Sequence, residues 1–386
     1  MIYYGKQSID QDDIDAVLHV LTSDLITQGP ISTKFEEAIS EYTGSQYSVA
    51  CSHGTAALHL ACLALGVGMG DIVWTVPNTF VASANCALYC GAVVDFVDID
   101  KHTLNISVSE LKVKLEYAAQ KNALPKVIII VHFGGNSCDL AEIKALSDQF
   151  GFSIIEDACH ALGGAYKGEK IGSCRYSDIT VFSFHPVKIV TTAEGGAALT
   201  NSDSLAEKMN LFRSHGVTRD PNLMIGEADG DWYYQQVELG YNYRMTELQA
   251  ALGVSQMMRL REFVAARHLL AKRYNELLVD LPVTLPYQLA ETYSGLHLYV
   301  IRLKLDEITK THKQVFYALR ESGIGVNLHY IPVHLQPYYQ KMGFQWGDFP
   351  NAETYYKSAI SIPMFPSLTC EAQTKVIAAL HEILEK

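Results

Sequence analysis

The sequence predicts an α/β protein of two units, a large domain on a mostly parallel central sheet and a smaller C-terminal α/β domain. Three observations carry this. Short apolar runs alternate with helical patterns from about residue 30 to 200. One of them, 127–131, is apolar without interruption, as strands covered on both faces are. After a long helical stretch at 245–277 the pattern changes to strand, helix, strand and two further helices. A division into 1–250 and 251–386 gives units of ordinary domain size.

The elements follow in order. Thr33-Lys34-Phe35-Glu36 is a capping-box pattern that opens a helix closed by Gly44. Residues 47–51 form a strand, and 54–65 form a buried helix ended by Gly66. Strands at 72–76 and 92–97 flank a helix at 80–89. The strand 127–131 precedes a helix at 139–150, and 153–155 and 179–184 are further apolar strands. In the second unit, 297–304 and 326–330 are expected strands. Residues 310–322, 351–359 and 371–385 are expected helices.

Composition excludes several classes. Of 386 residues, 48% are hydrophobic and 19% charged, so a large core is expected and disorder is not. The formal net charge of −12 leaves no basic excess for nucleic-acid phosphates, although a local basic pocket for a small anion remains compatible with it. None of the eight cysteines forms a C-x-x-C pair, and Cys86 and Cys90, four apart, suit two core thiols. No apolar leader or membrane-length run is present, so a reduced, cytoplasmic setting is expected.

The chemistry is expected at the carboxyl ends of the strands, where open α/β sheets gather ligands. His132 follows 127–131, Glu156 and Asp157 follow 153–155, and Ser183, His185 and Lys188 follow 179–184. A lysine after a strand is ordinarily a solvated loop residue. Here it stands before Gly195-Gly196, which suggests a turn, and its amine can form a Schiff base with a carbonyl cofactor such as pyridoxal phosphate (PLP). Asp157 can pair with a pyridine nitrogen, or simply cap the next segment. Gly54 and Thr55 offer backbone N–H groups at a helix start, where phosphate is favoured, though an ordinary N-cap has the same composition. Phe80 can stack on a ring or pack in the core. Gly66-Val67-Gly68-Met69-Gly70 ends a helix and is no dinucleotide fingerprint. No H-E-x-x-H occurs, and His329 and His334 flank a proline in a loop-like stretch, so no metal is expected.

These residues carry a resemblance. Thr27-Gln28-Gly29-Pro30, Ser52-His53-Gly54-Thr55, Pro77-Asn78-Thr79-Phe80 and Glu156-Asp157-Ala158-Cys159-His160 stand in order along the chain. Phe184-His185-Pro186-Val187-Lys188, Arg213-Ser214-His215-Gly216 and Gly240-Tyr241-Asn242-Tyr243-Arg244 complete the set. The whole chain resembles the DegT/DnrJ/EryC1/StrS sugar aminotransferases, PLP enzymes of fold type I, and within them the branch that serves pseudaminic acid synthesis. The resemblance implies that Lys188 is the Schiff-base lysine and proton carrier and that Asp157 meets the pyridine nitrogen. His160 would lie near the ring hydroxyl and Phe80 would stack on the ring. Gly54, Thr55 and Ser183 would hold the phosphate, with Asn242 reaching it from a second subunit of a homodimer. His132, His329, Tyr330, Arg213 and Arg244 are candidates for the substrates, L-glutamate and a UDP-linked 4-keto-6-deoxy sugar. Some relatives carry histidine in place of the lysine and are dehydratases; Lys188 favours transamination. Other readings are a perosamine-type or dTDP-linked 4-keto sugar, a non-catalytic nucleotide-sugar binder and a PLP lyase.

Overall fold

The computed structural model describes residues 1–385. Seven strands form the sheet that carries the site: β1 (Tyr47–Cys51), β2 (Ile72–Thr75), β3 (Val93–Phe96), β4 (Val127–Val131), β5 (Ser153–Asp157), β6 (Ile179–Ser183) and β7 (Gly196–Thr200). Their spatial order is β1-β7-β6-β5-β4-β2-β3. Strand β7 runs antiparallel to both its neighbours, and the other pairs are parallel.

Side-chain alternation builds a core on each face of this sheet. Val49, Val73, Ile129, Ile155 and Val181 point toward the helices Gly54–Ala64 and Ala82–Tyr89. Ala50, Trp74, Ile128, Ile154 and Phe182 point the other way, toward the helices Pro30–Thr43, Val108–Gln120 and Leu140–Phe150. Consecutive residues at a strand end therefore serve opposite faces. A second sheet of β8 (Val283–Thr284), β9 (Tyr299–Leu303) and β10 (Ala359–Ile362) is antiparallel in the order β8-β9-β10. It shares a core with the helices His312–Glu321 and Cys370–Leu384.

The architecture is the expected α/β arrangement with a mostly parallel central sheet. Several local expectations are corrected. The helix Pro30–Thr43 begins three residues before Thr33, with Pro30 in its first turn. Its open N–H groups are answered from far along the chain, because the Glu247 carboxylate accepts from the backbone of Ile31 at 2.5 Å and Ser32 at 3.1 Å. The stretch 245–277 is two helices, Glu247–Met258 and Leu260–Leu277, broken at Arg259. Gly196 opens β7 and is not only a turn residue: a Cβ there would lie 2.6 Å from the His53 carbonyl carbon. Residues 326–330 are not a strand. Only Ile324–Gly325 pairs, with Ile2–Tyr3, while Asn327 makes an isolated bridge to Ser361 and the His329–Tyr330 peptide is cis. Helices at Gln11–Leu21 and Asp203–Arg213 were not anticipated; side chains of Asp10 and Ser202 cap them. Among the described residues, no helix is long and apolar enough to cross a membrane, and no group of three or more metal-ligating side chains is assembled.

Candidate active site

Parallel pairing of β4, β5 and β6 sets His132, Asp157 and Ser183 side by side at one sheet edge, with Val131 opposite Asp157 and Asp157 opposite Val181. Lys188 follows in the loop between β6 and β7, and its backbone N–H donates to the His185 carbonyl at 2.9 Å. Burial holds the Lys188 amine below its ordinary range, while Cys159 and Asp157 pull in the opposite sense. The same surroundings depress the neighbouring histidines. Burial, then the Lys188 charge, pushes His329 down to about 3. Burial, Lys188 and His329 hold His160 well below its usual range.

Asp157 is almost fully enclosed. One carboxylate oxygen accepts from the Ser83 hydroxyl at 2.6 Å and the other from the Cys159 N–H at 3.2 Å. Ser83 donates to Asp157, so the Thr79 hydroxyl donates to Ser83, at 2.8 Å. His160 takes the Gly134 N–H on Nδ1 at 3.2 Å, which assigns its proton to Nε2 and makes that atom the donor to the Tyr330 hydroxyl at 3.0 Å. The rings of His160 and Tyr330 lie nearly parallel, 6.1 Å apart. The Tyr330 phenol is raised well above its usual range by burial, then by Asp157 and Cys159.

On the other side of the lysine, the helix Gly54–Ala64 presents its N-terminus. His53 Nδ1 accepts from Ala56 N–H at 2.9 Å, which leaves the first two N–H groups, of Gly54 and Thr55, without an acceptor one turn back. A Cβ on Gly54 would meet the Ser183 Cβ at 2.8 Å and its hydroxyl oxygen at 3.1 Å. Glycine thus lets the Ser183 hydroxyl sit directly against this helix start. Phe80 is 57% exposed beside this pocket, an unusual position for a large apolar ring, and its ring centroid lies 6.1 Å from that of Tyr330.

The other residues named from the sequence are placed as follows. His132 is wholly buried. Its Nδ1 accepts from Cys138 N–H at 3.0 Å and its Nε2–H donates to Glu156 at 2.7 Å, so it braces β4 against β5 and has no free atom for a substrate. The Arg213 guanidinium donates to Glu36 at 2.5 Å and the Ala50 carbonyl at 2.6 Å, which spends its charge between the helix Asp203–Arg213 and β1. Arg244 donates to the Ser214 hydroxyl at 3.0 Å and is paired with no carboxylate among the described residues. His329 Nδ1–H donates to Ser361 Oγ at 2.8 Å. Asn242 is exposed, held only through its backbone bridge to Ser214.

Three neighbours received no role from the sequence. Ser83 and Cys159 serve Asp157. Asn78 is fully buried, and neither amide atom has a partner, beside the Thr79–Ser83 chain. An orphaned buried amide is costly and is a reasonable mark of a ligand-facing position. Its only sequence signal is its place between Pro77 and Thr79.

The pocket suits a phosphorylated pyridine aldehyde. It has an enclosed amine, a carboxylate across from it, an anion-ready helix start with a hydroxyl, an exposed ring and a neutral imidazole donor.

The comparisons agree with this reading. The DegT/DnrJ/EryC1/StrS aminotransferase family model matches residues 7–381. The chain is 37% identical to the spore coat polysaccharide biosynthesis protein SpsC of Bacillus subtilis over 385 residues, 99% of this chain and 97% of the relative. It is also 37% identical to the UDP-4-amino-4,6-dideoxy-N-acetyl-β-L-altrosamine transaminase of Campylobacter jejuni over 389 residues, 100% and 98%. Among solved structures it is similar to PseC of Helicobacter pylori, an aminotransferase involved in pseudaminic acid biosynthesis. The TM-score is 0.90 and the identity 31%, with 100% and 99% of the two chains covered. The sugar aminotransferase Spr1654 of Streptococcus pneumoniae, in its PLP form, matches with a TM-score of 0.88 and 28% identity over 100% and 98%. The chain belongs to the DegT/DnrJ/EryC1/StrS aminotransferase family and is a sugar aminotransferase with pyridoxal phosphate as its cofactor.

Proposed function

We propose that this enzyme moves the amino group of L-glutamate to the 4-keto carbon of UDP-2-acetamido-2,6-dideoxy-β-L-arabino-hexos-4-ulose. The product is UDP-4-amino-4,6-dideoxy-N-acetyl-β-L-altrosamine, made for pseudaminic acid biosynthesis by a cytoplasmic homodimer with shared active sites. The observation that carries the chemistry is the buried Lys188 amine, depressed by its surroundings and facing Asp157 and Cys159. Whole-length similarity to the altrosamine transaminase supports the sugar. Equal similarity to SpsC supports the second reading, the same transfer to another nucleotide-linked 4-keto-6-deoxy sugar.

When bound, pyridoxal phosphate supplies an aldehyde and an electron-withdrawing ring that let an amino group change carbon partners. The residues supply the rest. Lys188 holds and moves the proton, and burial lowers the amine's proton affinity, which favours its free, basic form. Asp157, fixed by Ser83 and the Cys159 N–H, places negative charge at the ring nitrogen. Gly54, Thr55 and Ser183 receive the phosphate, with Asn242 of a second copy as an added donor. Phe80 would stack on the ring, and His160, which shares its Nε2–H with Tyr330, would serve the ring hydroxyl. His329 and Tyr330 border the sugar pocket, and Arg244 is assigned to a phosphate or carboxylate of the substrates. His132 and Arg213 act from behind, as braces of β4, β5 and β1.

Mass spectrometry of products from glutamate with defined UDP- and dTDP-linked 4-keto sugars tests the proposal. A mass gain matching amination of the UDP-linked acetamido sugar is expected, and Lys188→Ala should lower its rate by roughly a thousandfold. Preferred turnover of a different 4-keto sugar overturns the substrate. Normal turnover by Lys188→Ala overturns the mechanism.

A further inference from the structure

Arg267, in the middle of the helix Leu260–Leu277, is 1% exposed and pairs with no carboxylate among the described residues. A buried cation without a counterion is expensive and persists only where other groups solvate it. Here three backbone carbonyls do so: one guanidinium nitrogen donates to Met364 at 2.9 Å and to Leu296 and His297 at 3.2 Å. The helix is thereby tied to Leu296 and His297.

His297 is 3% exposed and its Nδ1 has no partner. Its ring centroid lies 4.4 Å from that of His160, nearer than any other ring contact His160 makes. The turn is also sewn to the segment that orients His160. Gly295 N–H donates to the Gly135 carbonyl at 3.1 Å, and Leu298 N–H donates to the Gly134 carbonyl at 3.2 Å. Gly134 N–H is the donor that fixes the His160 tautomer. The approach is tight: a Cβ on Gly135 would meet both the His160 carbonyl oxygen and the Leu296 nitrogen at 2.7 Å.

We propose that Arg267 and His297 form a positioning device for the cofactor pocket: the guanidinium fixes the 294–298 turn, and the His297 ring locks His160 in the orientation that donates Nε2–H to Tyr330. Neither residue is assigned contact with the reacting atoms. The charges around His297 agree with this role. Lys188, Arg267, His160 and His329 all face it, and burial first, then these neighbours, holds His297 well below its usual range. Two touching imidazoles in a pocket that already holds Lys188 and Arg267 stay neutral, and a neutral His160 can keep Nδ1 as an acceptor for Gly134.

The proposal rests on the cofactor reading of the pocket, and its test separates the two. In the apoprotein, nitrogen-15 NMR of the histidine side chains, with His160 assigned by His160→Gln, reads the tautomer without cofactor. Wild type is expected to show His160 as a single neutral Nε2–H form at about pH 7. His297→Ala should give mixed tautomers. It should also weaken PLP binding, followed by absorbance, about tenfold. His297→Phe keeps the ring contact and should restore the single tautomer and most of that affinity. Arg267→Met should loosen His160 similarly; if it fails to fold, Arg267→Lys keeps the charge and tests loss of the fork alone, with an intermediate effect. An unchanged His160 tautomer in His297→Ala, or no rescue by His297→Phe, overturns the proposal. A wild-type apoprotein that shows the tautomer but binds no PLP would overturn the cofactor reading and leave the positioning device standing.

Discussion

Glu156 and Asp157 are consecutive carboxylates at the end of β5, yet they serve different regions because a strand sends neighbours to opposite faces. Glu156 faces the core side. One oxygen accepts from the hydroxyls of Ser177 at 2.5 Å and Thr180 at 3.2 Å, and the other from His132. Asp157 faces the pocket with two donors, its neighbour Cys159 and Ser83 on the helix Ala82–Tyr89, and the Lys188 amine within electrostatic reach. A carboxylate can accept about four hydrogen bonds. The first is anchored on β4 and β6 and holds strands together. The second is held by one N–H and one hydroxyl and keeps accepting capacity for something that enters.

Exchanging each acid for its amide is the strongest way to break this contrast. Asp157→Asn should lower kcat at least a hundredfold, the scale of removing one aimed electrostatic partner, with little change in folding. Glu156→Gln should leave kcat within a fewfold. It should cost about 1–3 kcal/mol of stability, because one acceptor oxygen becomes an NH2 and the charge-assisted bonds to His132, Ser177 and Thr180 are weakened. Steady-state kinetics beside urea unfolding of both variants reads this. Equal catalytic loss in both would remove the distinction.

A smaller effect probes the rim of the same pocket. Gly54→Ala places a methyl 2.8 Å from the Ser183 Cβ and pushes that hydroxyl off the helix start. Weakening of PLP binding by about tenfold is expected, equivalent to one charge-assisted hydrogen bond. Inorganic phosphate should protect the wild-type apoprotein against unfolding more than the variant. Unaltered PLP affinity would show that the cradle does not depend on this approach.

A further effect is electrostatic and graded with pH. His160, His297 and His329 have proton affinities depressed by burial, His329 to about 3. As pH falls through about 6.5 the unfolded chain binds protons at these sites and the folded chain does not. Unfolding then takes up protons, so stability drops toward acid by up to about 1.4 kcal/mol per pH unit for each histidine. His329→Gln should flatten the slope of apoprotein stability between pH 6.5 and 4.5 by one such increment relative to wild type. An identical slope would mean that His329 is protonated in the fold.

How far these regions were legible in the sequence follows from the range of the forces involved. Strand β4 coincides with its expected bounds because five apolar residues buried on both faces admit one reading. Lys188, Asp157, Gly54 and Ser183 were legible because parallel strands deliver their carboxyl ends to one edge. The helix start at Pro30 was not, since the carboxylate that answers it is Glu247, more than two hundred residues away. The break at Arg259 was hidden inside a continuous helical pattern. Ser83 and His297 carried no role for a similar reason: each sits in an apolar stretch, and only packing against β5 or the Gly134–Gly135 turn gives it its place.

Strand β7 has a consequence for how the molecule is made. β1 touches the sheet only through β7, which is inserted between β1 and β6. During synthesis the parallel part of the sheet, from β2 to β6, has all its pairing partners once residue 183 has emerged. β1 must wait, unpaired, until residue 200 follows it out of the ribosome. The Gly54 end of the pocket and the lysine end are thus joined by the last strand of the sheet to arrive. A nascent chain cannot close its grip on the coenzyme before then, and the coenzyme is in turn placed to act as a late clasp on the finished sheet.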